Sequence, residues 1–177
     1  MCYNSVSKVQ RSRGDASGGC PTHARATLAC VGLREAAGPR EHADDPMSSI
    51  FTKIINGELP CHKIAEDDKY FAFMEIKPLA PGHALVIAKA EVDYFFDLDD
   101  KALSGLMLFS KNVAAAIKKA VPCVKVAVLV YGLEVRHAHV HLIPVQGIPG
   151  ELNLSSAKKA TDAELGFVAQ KIRSYLE

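Results

Sequence analysis

The chain has 177 residues, 49% of them hydrophobic, with 21 Lys and Arg set against 20 Asp and Glu. A formal charge of +1 gives no electrostatic argument for nucleic acid or an anionic membrane as partner, and no apolar run approaches the roughly 18 residues that span a bilayer. Length and composition fit one globular domain of ordinary size plus extra sequence, with room for a small anionic ligand at a local site.

Residues 1–46 differ from the rest. They hold five of the twelve glycines and three of the five cysteines, and only scattered large apolar residues. No helical or strand period is sustained, so this stretch cannot bury enough apolar surface to offset its ordering entropy. It is expected to be a disordered extension, native or the product of an upstream start codon, with residues 47–177 forming the domain. A targeting segment is the other reading, because Arg and Ser occur and acids are sparse before Glu35. A secretory signal is not expected, because no apolar h-region is present. The cysteines Cys2, Cys20, Cys30, Cys61 and Cys123 are odd in number and form no Cys-x-x-Cys pair. They read as free thiols in a reducing, cytoplasmic setting.

After Met47 the chain becomes periodic. Ser49 can cap a short helix that turns Ile50, Phe51, Ile54 and Ile55 inward and stops at Gly57. Tyr70 to Ile76 and His83 to Ala88 read as strands, joined by the turn Lys77-Pro78-Leu79-Ala80-Pro81-Gly82. Asp99 or Asp100 begins a long helix to about Ala120, with Leu103, Met107, Val113 and Ile117 along one face. Val124 to Tyr131, rich in β-branched residues, reads as a buried strand. Thr161-Asp162-Ala163-Glu164 is a capping box, and the helix after it carries Leu165, Val168, Ile172 and Leu176 on one stripe. Hairpin strands separated by one long helix predict an α+β fold, an antiparallel sheet with helices on one side.

The chemistry concentrates in His137-Ala138-His139-Val140-His141-Leu142-Ile143. Successive side chains of a strand point to opposite faces, so the three imidazoles share one face and Ala138, Val140 and Leu142 share the other. Such a row packs poorly against a core. It suits an anionic group or a metal lying over it.

This segment resembles the signature of the histidine-triad nucleotide-binding superfamily, His-φ-His-φ-His-φ-φ with φ hydrophobic. The likeness extends from about Ser49 to about Val145. Ser49 to Pro60 resembles the family's opening helix and turn. Lys63 to Lys89 resembles its first hairpin, with Pro81-Gly82-His83 included. The resemblance implies a sheet of about five antiparallel strands, with a long central helix and a C-terminal helix. It also implies a homodimer in which the two sheets commonly become continuous. The implied ligand is a purine nucleotide or nucleotide conjugate, with no cofactor. Some bacterial relatives bind structural zinc through two cysteines near the opening helix; the matching positions here are Ser49 and Thr52, so no metal is expected.

Roles follow from the same resemblance. His139, the middle histidine, is the nucleophile that attacks the α-phosphorus and forms a nucleotidyl-histidine. Neutral imidazole is abundant near pH 7, because its unperturbed pKa is about 6.5, and one ring nitrogen can attack while the other donates to a fixed acceptor. His137 and His141, with Cβ atoms about 7 Å to either side along a strand, contact phosphate oxygens or orient the leaving group. His83 matches a histidine that packs near the triad; it can also be a hydrogen-bonded core residue. Glu75 stands where relatives often carry Asp or Asn to hold the ribose hydroxyls, or else it is an exposed strand-end acid. Phe51 and Ile76 match apolar positions bordering the base, or are core. Many hydrolases of the family have a longer segment before the triad, with Ser or Thr facing the phosphates. Here it is only Tyr131-Gly132-Leu133-Glu134-Val135-Arg136, and Glu134 stands roughly in the hydroxyl donor's place. The activity the resemblance implies is that of a nucleoside phosphoramidate or dinucleoside polyphosphate hydrolase. Two other readings stay open: a nucleotide-binding regulatory module with little turnover, and a histidine-strand metal-binding protein.

Overall fold

A computed structural model describes residues 48–176. The expectation of a disordered extension lies outside the described residues. The elements run α1 (Ile50–Ile55), β1 (Lys63–Glu66), β2 (Tyr70–Met74), β3 (Ala84–Ala88), α2 (Asp100–Ala120), β4 (Lys125–Leu129), β5 (His139–Val145) and α3 (Asp162–Arg173). The strands form one antiparallel sheet in the order β1-β2-β3-β5-β4. The fold is thus the expected α+β arrangement of five strands, with a long central and a C-terminal helix.

Local chemistry accounts for the helix ends. Ser49 caps α1 by accepting from the Thr52 amide, and Asp99 caps α2 by accepting from the Ala102 amide. Thr161 and Glu164 form the reciprocal capping box of α3. The β2–β3 connection depends on Gly82, whose φ is +90°. A Cβ there would also lie 2.9 Å from Val121 Cγ2 and 3.2 Å from Pro144 Cγ, so both conformation and space require glycine.

The sheet separates two apolar clusters. On one face Ala84 and Val86 of β3 and Val140 and Leu142 of β5 pack with Leu106, Val113 and Ile117 of α2 and Leu165 and Ile172 of α3. The alternation along β5 therefore turns Val140 and Leu142 to the core, joined by Ala138 just before the strand. On the other face Phe71, Phe73, Leu85 and Ile87 pack with Phe51 of α1. The histidines share this second face, because His139 pairs with Ile87 and His141 with Leu85 across β3 and β5.

Several expectations need correction. β4 is not buried: it lies at the edge of the sheet, and Val128 is 52% exposed. Its β-branched composition satisfies the pleat, but no further strand among the described residues pairs with its outer edge. β2 stops at Met74, and β1 was hidden by its short, half-polar run Lys63-Ile64-Ala65-Glu66. Met107 and Ile50 face outward, while Leu106, Ser110 and Ala116 take the buried stripe of α2. No described helix is long and apolar enough to cross a membrane.

Candidate active site

The second face of the sheet brings four imidazoles together. β5 carries His139 and His141 on one side of the strand, with ring centroids 5.0 Å apart. His137 lies two residues before β5 and is fully buried. β3 is preceded by His83, whose ring centroid is 5.3 Å from that of His141. Phe51 of α1 meets His137 and His139 edge-on at 5.8 and 5.2 Å, and Phe73 at 5.6 Å. It is therefore both a core side chain and a wall of the histidine cluster.

Hydrogen bonds assign the tautomers. The carbonyl of His137 accepts from Nδ1–H of His139 at 2.6 Å. Nε2 of His139 is thus left with its lone pair. His137 donates through Nε2–H to the Ala88 carbonyl at 2.7 Å, which turns its Nδ1 to the Ser49 hydroxyl at 2.8 Å. The Leu79 amide donates to Nδ1 of His83 at 3.1 Å, so the proton of neutral His83 sits on Nε2 and is donated to His141 Nδ1 at 3.0 Å. Neutral His141 then carries its proton on Nε2. The cluster accordingly presents one ring nitrogen with an unshared lone pair on His139 and one N–H donor on His141.

Burial sets the charge state. Desolvation, with His141 second, pushes His83 down to about 3, and desolvation, with His139 second, pushes His141 down to about 4. Burial also lowers His137; its bond to the Ala88 carbonyl and the charge of Glu91 oppose that fall. Among the described residues every buried side-chain nitrogen and oxygen has a partner.

Glu75 follows β2 and uses Oε1 to accept from the Lys77 amide at 2.9 Å, while its own amide donates to the His83 carbonyl. Ile76 is 55% exposed. Glu134 is exposed in the bend before the triad. Arg136 approaches Asp93 at 4.0 Å, also in solvent. Sequence reasoning missed three partners of the cluster: Glu91, the Ala88 carbonyl and the Leu79 amide. Backbone groups leave no trace in side-chain type, and Glu91 stands in no recognisable motif.

The residues at the opening helix do not fit zinc. Ser49 and Thr52 carry neutral hydroxyls engaged in hydrogen bonds, where zinc takes thiolate, imidazole or carboxylate. Among the described residues no three His, Cys, Asp or Glu side chains converge as a metal-holding group.

Comparison with known proteins agrees with this geometry. The family model of the HIT domain matches residues 56–147. A HIT-like protein from Borreliella burgdorferi is 38% identical over 102 residues, covering 54% of this chain and 73% of the relative. The adenosine 5'-monophosphoramidase HNT1 of Saccharomyces cerevisiae is 34% identical over 134 residues, covering 72% of this chain and 82% of the relative. Among solved structures, a Hit-like protein from Bartonella henselae superposes with a TM-score of 0.64 at 32% identity, covering 72% of this chain and 95% of the other. A histidine triad nucleotide-binding protein from Sulfolobus tokodaii does so at 0.64 and 28%, covering 71% and 90%. With the histidine cluster, the sheet order and the matched segment in agreement, the chain belongs to the HIT family.

Proposed function

We propose that this protein is a nucleotide-conjugate hydrolase working through a nucleotidyl-histidine. The observation that carries the reading is the bond from His139 Nδ1–H to the His137 carbonyl, which leaves Nε2 of His139 free to attack. In this reading Nε2 bonds to the α-phosphorus of a purine nucleoside phosphoramidate as the phosphorus–nitrogen bond breaks, and the departing nitrogen, protonated from solvent, leaves as the free amine. His141, donating from Nε2, stabilises charge on the phosphate oxygens and leaving group, whereas His137, fully buried with both ring nitrogens engaged, acts through its carbonyl, which holds His139. His83 acts through His141, by holding its tautomer. Water then attacks the phosphorus and gives up a proton to solvent, the His139–phosphorus bond breaks with Nε2 keeping the electron pair, and the nucleoside monophosphate leaves. Phe51 and Ile76 border the base, Glu75 accepts from the ribose hydroxyls, and Glu134 faces the leaving-group side. The likeness to the yeast adenosine 5'-monophosphoramidase supports an amidate over other conjugates.

The same reading takes residues 47–177 as the working domain, in the cytoplasm, and a homodimer as the working form. The dimer is supported by the position of β4 at the edge of the sheet among the described residues, where Val128 is exposed, with Val124 and Val130 exposed on either side of the strand. The deciding experiment incubates the protein with adenosine 5'-phosphoramidate, follows release of AMP, and traps the nucleotidylated protein for mass spectrometry without acid. Adenylate on His139 is the expected result. Absence of both turnover and adduct overturns the reading and leaves nucleotide binding without chemistry.

A further inference from the structure

Behind His137 lies a chain of polar groups that none of the roles above uses. Glu91, three residues beyond β3, accepts from the Ser49 amide through Oε1 at 3.2 Å and from the Thr52 hydroxyl through Oε2. The Thr52 and Ser49 hydroxyls are 3.1 Å apart, and the Ser49 hydroxyl is 2.8 Å from His137 Nδ1. The sequence separations are large: Glu91 lies 42 residues from Ser49, and Ser49 lies 88 from His137. The first turn of α1 therefore bridges a surface carboxylate to a buried imidazole.

Counting protons defines what this chain can do. Thr52 has one hydroxyl proton, and Glu91 takes it. Ser49 has one, and two acceptors compete for it: Thr52 Oγ1 and His137 Nδ1. With His137 neutral, the Ser49 proton goes to Nδ1, and His137 must carry its own proton on Nε2, where the Ala88 carbonyl receives it. A protonated Nδ1 would reverse the Ser49 hydroxyl toward Thr52 and run an unbroken series of donors to the Glu91 carboxylate. Either way the ring of His137 is held at both nitrogens. The carbonyl of that residue in turn receives Nδ1–H of His139.

We propose that Glu91 is a positioning residue: through Thr52 and Ser49 it holds the His137 ring in place against the Ala88 carbonyl, and with it the His137 carbonyl that receives Nδ1–H of His139. Neither Glu91 nor Thr52 touches the reacting atoms. The groups facing His137 are Glu91 by way of α1, His139 from β5, the Phe51 ring and the Ala88 carbonyl. Of these only Glu91 supplies a negative charge. The effect on turnover rests on the proposed nucleotidyl-histidine chemistry; the effect on His137 does not.

The test uses Thr52→Val, Thr52→Ser and Glu91→Gln in the full chain. Long-range proton–nitrogen NMR of the imidazoles reads the tautomer and titration of His137 directly, and hydrolysis of adenosine 5'-phosphoramidate reads the consequence. Thr52→Val and Glu91→Gln are expected to shift the His137 ring nitrogens and to move its titration to lower pH. Both should lower kcat by roughly 10- to 100-fold, the scale of a misplaced reacting group, with KM little changed. Thr52→Ser, which keeps the hydroxyl, should restore both readouts. His137 nitrogens unchanged in Thr52→Val and Glu91→Gln would overturn the proposal, as would wild-type kcat in both. If the wild-type protein itself fails to turn over the substrate, the hydrolase reading fails, and the nitrogen shifts alone decide the network.

Discussion

His83 donates through Nε2 to Nδ1 of His141 across 3.0 Å, and the Leu79 amide holds the opposite nitrogen of His83. Protonating His83 at Nδ1 would set two N–H groups against each other, and protonating His141 at Nδ1 would do the same. Desolvation, reinforced by the neighbouring ring, accordingly brings His83 from 6.5 to about 3 and His141 from 6.5 to about 4. In an unfolded chain both rings return to the ordinary histidine value. The unfolded state therefore binds more protons in acid, and stability rises with pH over this range. The contribution is present above pH 6.5 and is lost as the pH falls through 6.5 toward 4 and then 3. Thermal melts should show the melting temperature dropping between pH 7 and pH 4. His83→Gln, whose amide can accept from Leu79 and donate to His141, should flatten that dependence. An equally steep profile in His83→Gln would remove His83 from the account.

His139→Ala should fold and lose nucleotidyl transfer by orders of magnitude, as removal of a nucleophile does. Phe51 meets the His139 ring edge-on at 5.2 Å, so a small loss of stability accompanies the change. Circular dichroism separates the two effects. Wild-type turnover in this variant would sink the mechanism.

Glu75→Ala should weaken binding of a ribonucleoside monophosphate by about 1–3 kcal/mol, the range for hydrogen bonds to a charged group. A 2',3'-dideoxy analogue should lose much less. Glu75 also accepts from the Lys77 amide, so the single variant loosens a turn as well. Calorimetric titration of both ligands against both proteins cancels that shared cost and isolates the coupling. Equal losses would return Glu75 to the role of a strand-end acid.

Val128→Lys should convert a dimer to a folded monomer. Val128 sits on the open edge strand at 52% exposure, where a charge costs the monomer little and opposes edge-to-edge pairing. Light scattering after size exclusion gives the mass. A wild-type monomer, or a variant that remains dimeric, counts against pairing through β4.

Deleting residues 1–46 should leave the melting temperature and AMP affinity of the remaining domain unchanged, because that stretch carries few core-forming residues. A drop of several degrees would show that it packs on the domain.

Much of this protein is written in short-range pattern. Ser49, Asp99 and the Thr161–Glu164 pair cap their helices through groups only a few residues away, and the alternation from His137 to Leu142 puts the histidines on one face and Ala138, Val140 and Leu142 on the other. These are local interactions, legible because each depends on side-chain type at fixed spacing. The shared face of the histidines is legible for the same reason; the roles expected of them came from the family resemblance. What only the tertiary structure decided depends on chain segments meeting. The sequence Val124 to Tyr131 reads alike for a central and an edge strand, since β-branched residues suit both; position 5 in a five-strand order makes it an edge. His137 is spaced as a strand residue yet sits before β5, held by the Ala88 carbonyl and Ser49. Which nitrogen of each histidine bears the proton was undetermined by sequence, because the partners are mostly backbone groups and residues tens of positions away. Folding brings those partners to 2.6–3.1 Å, and at that distance a carbonyl can only accept and an amide can only donate, which settles the tautomers.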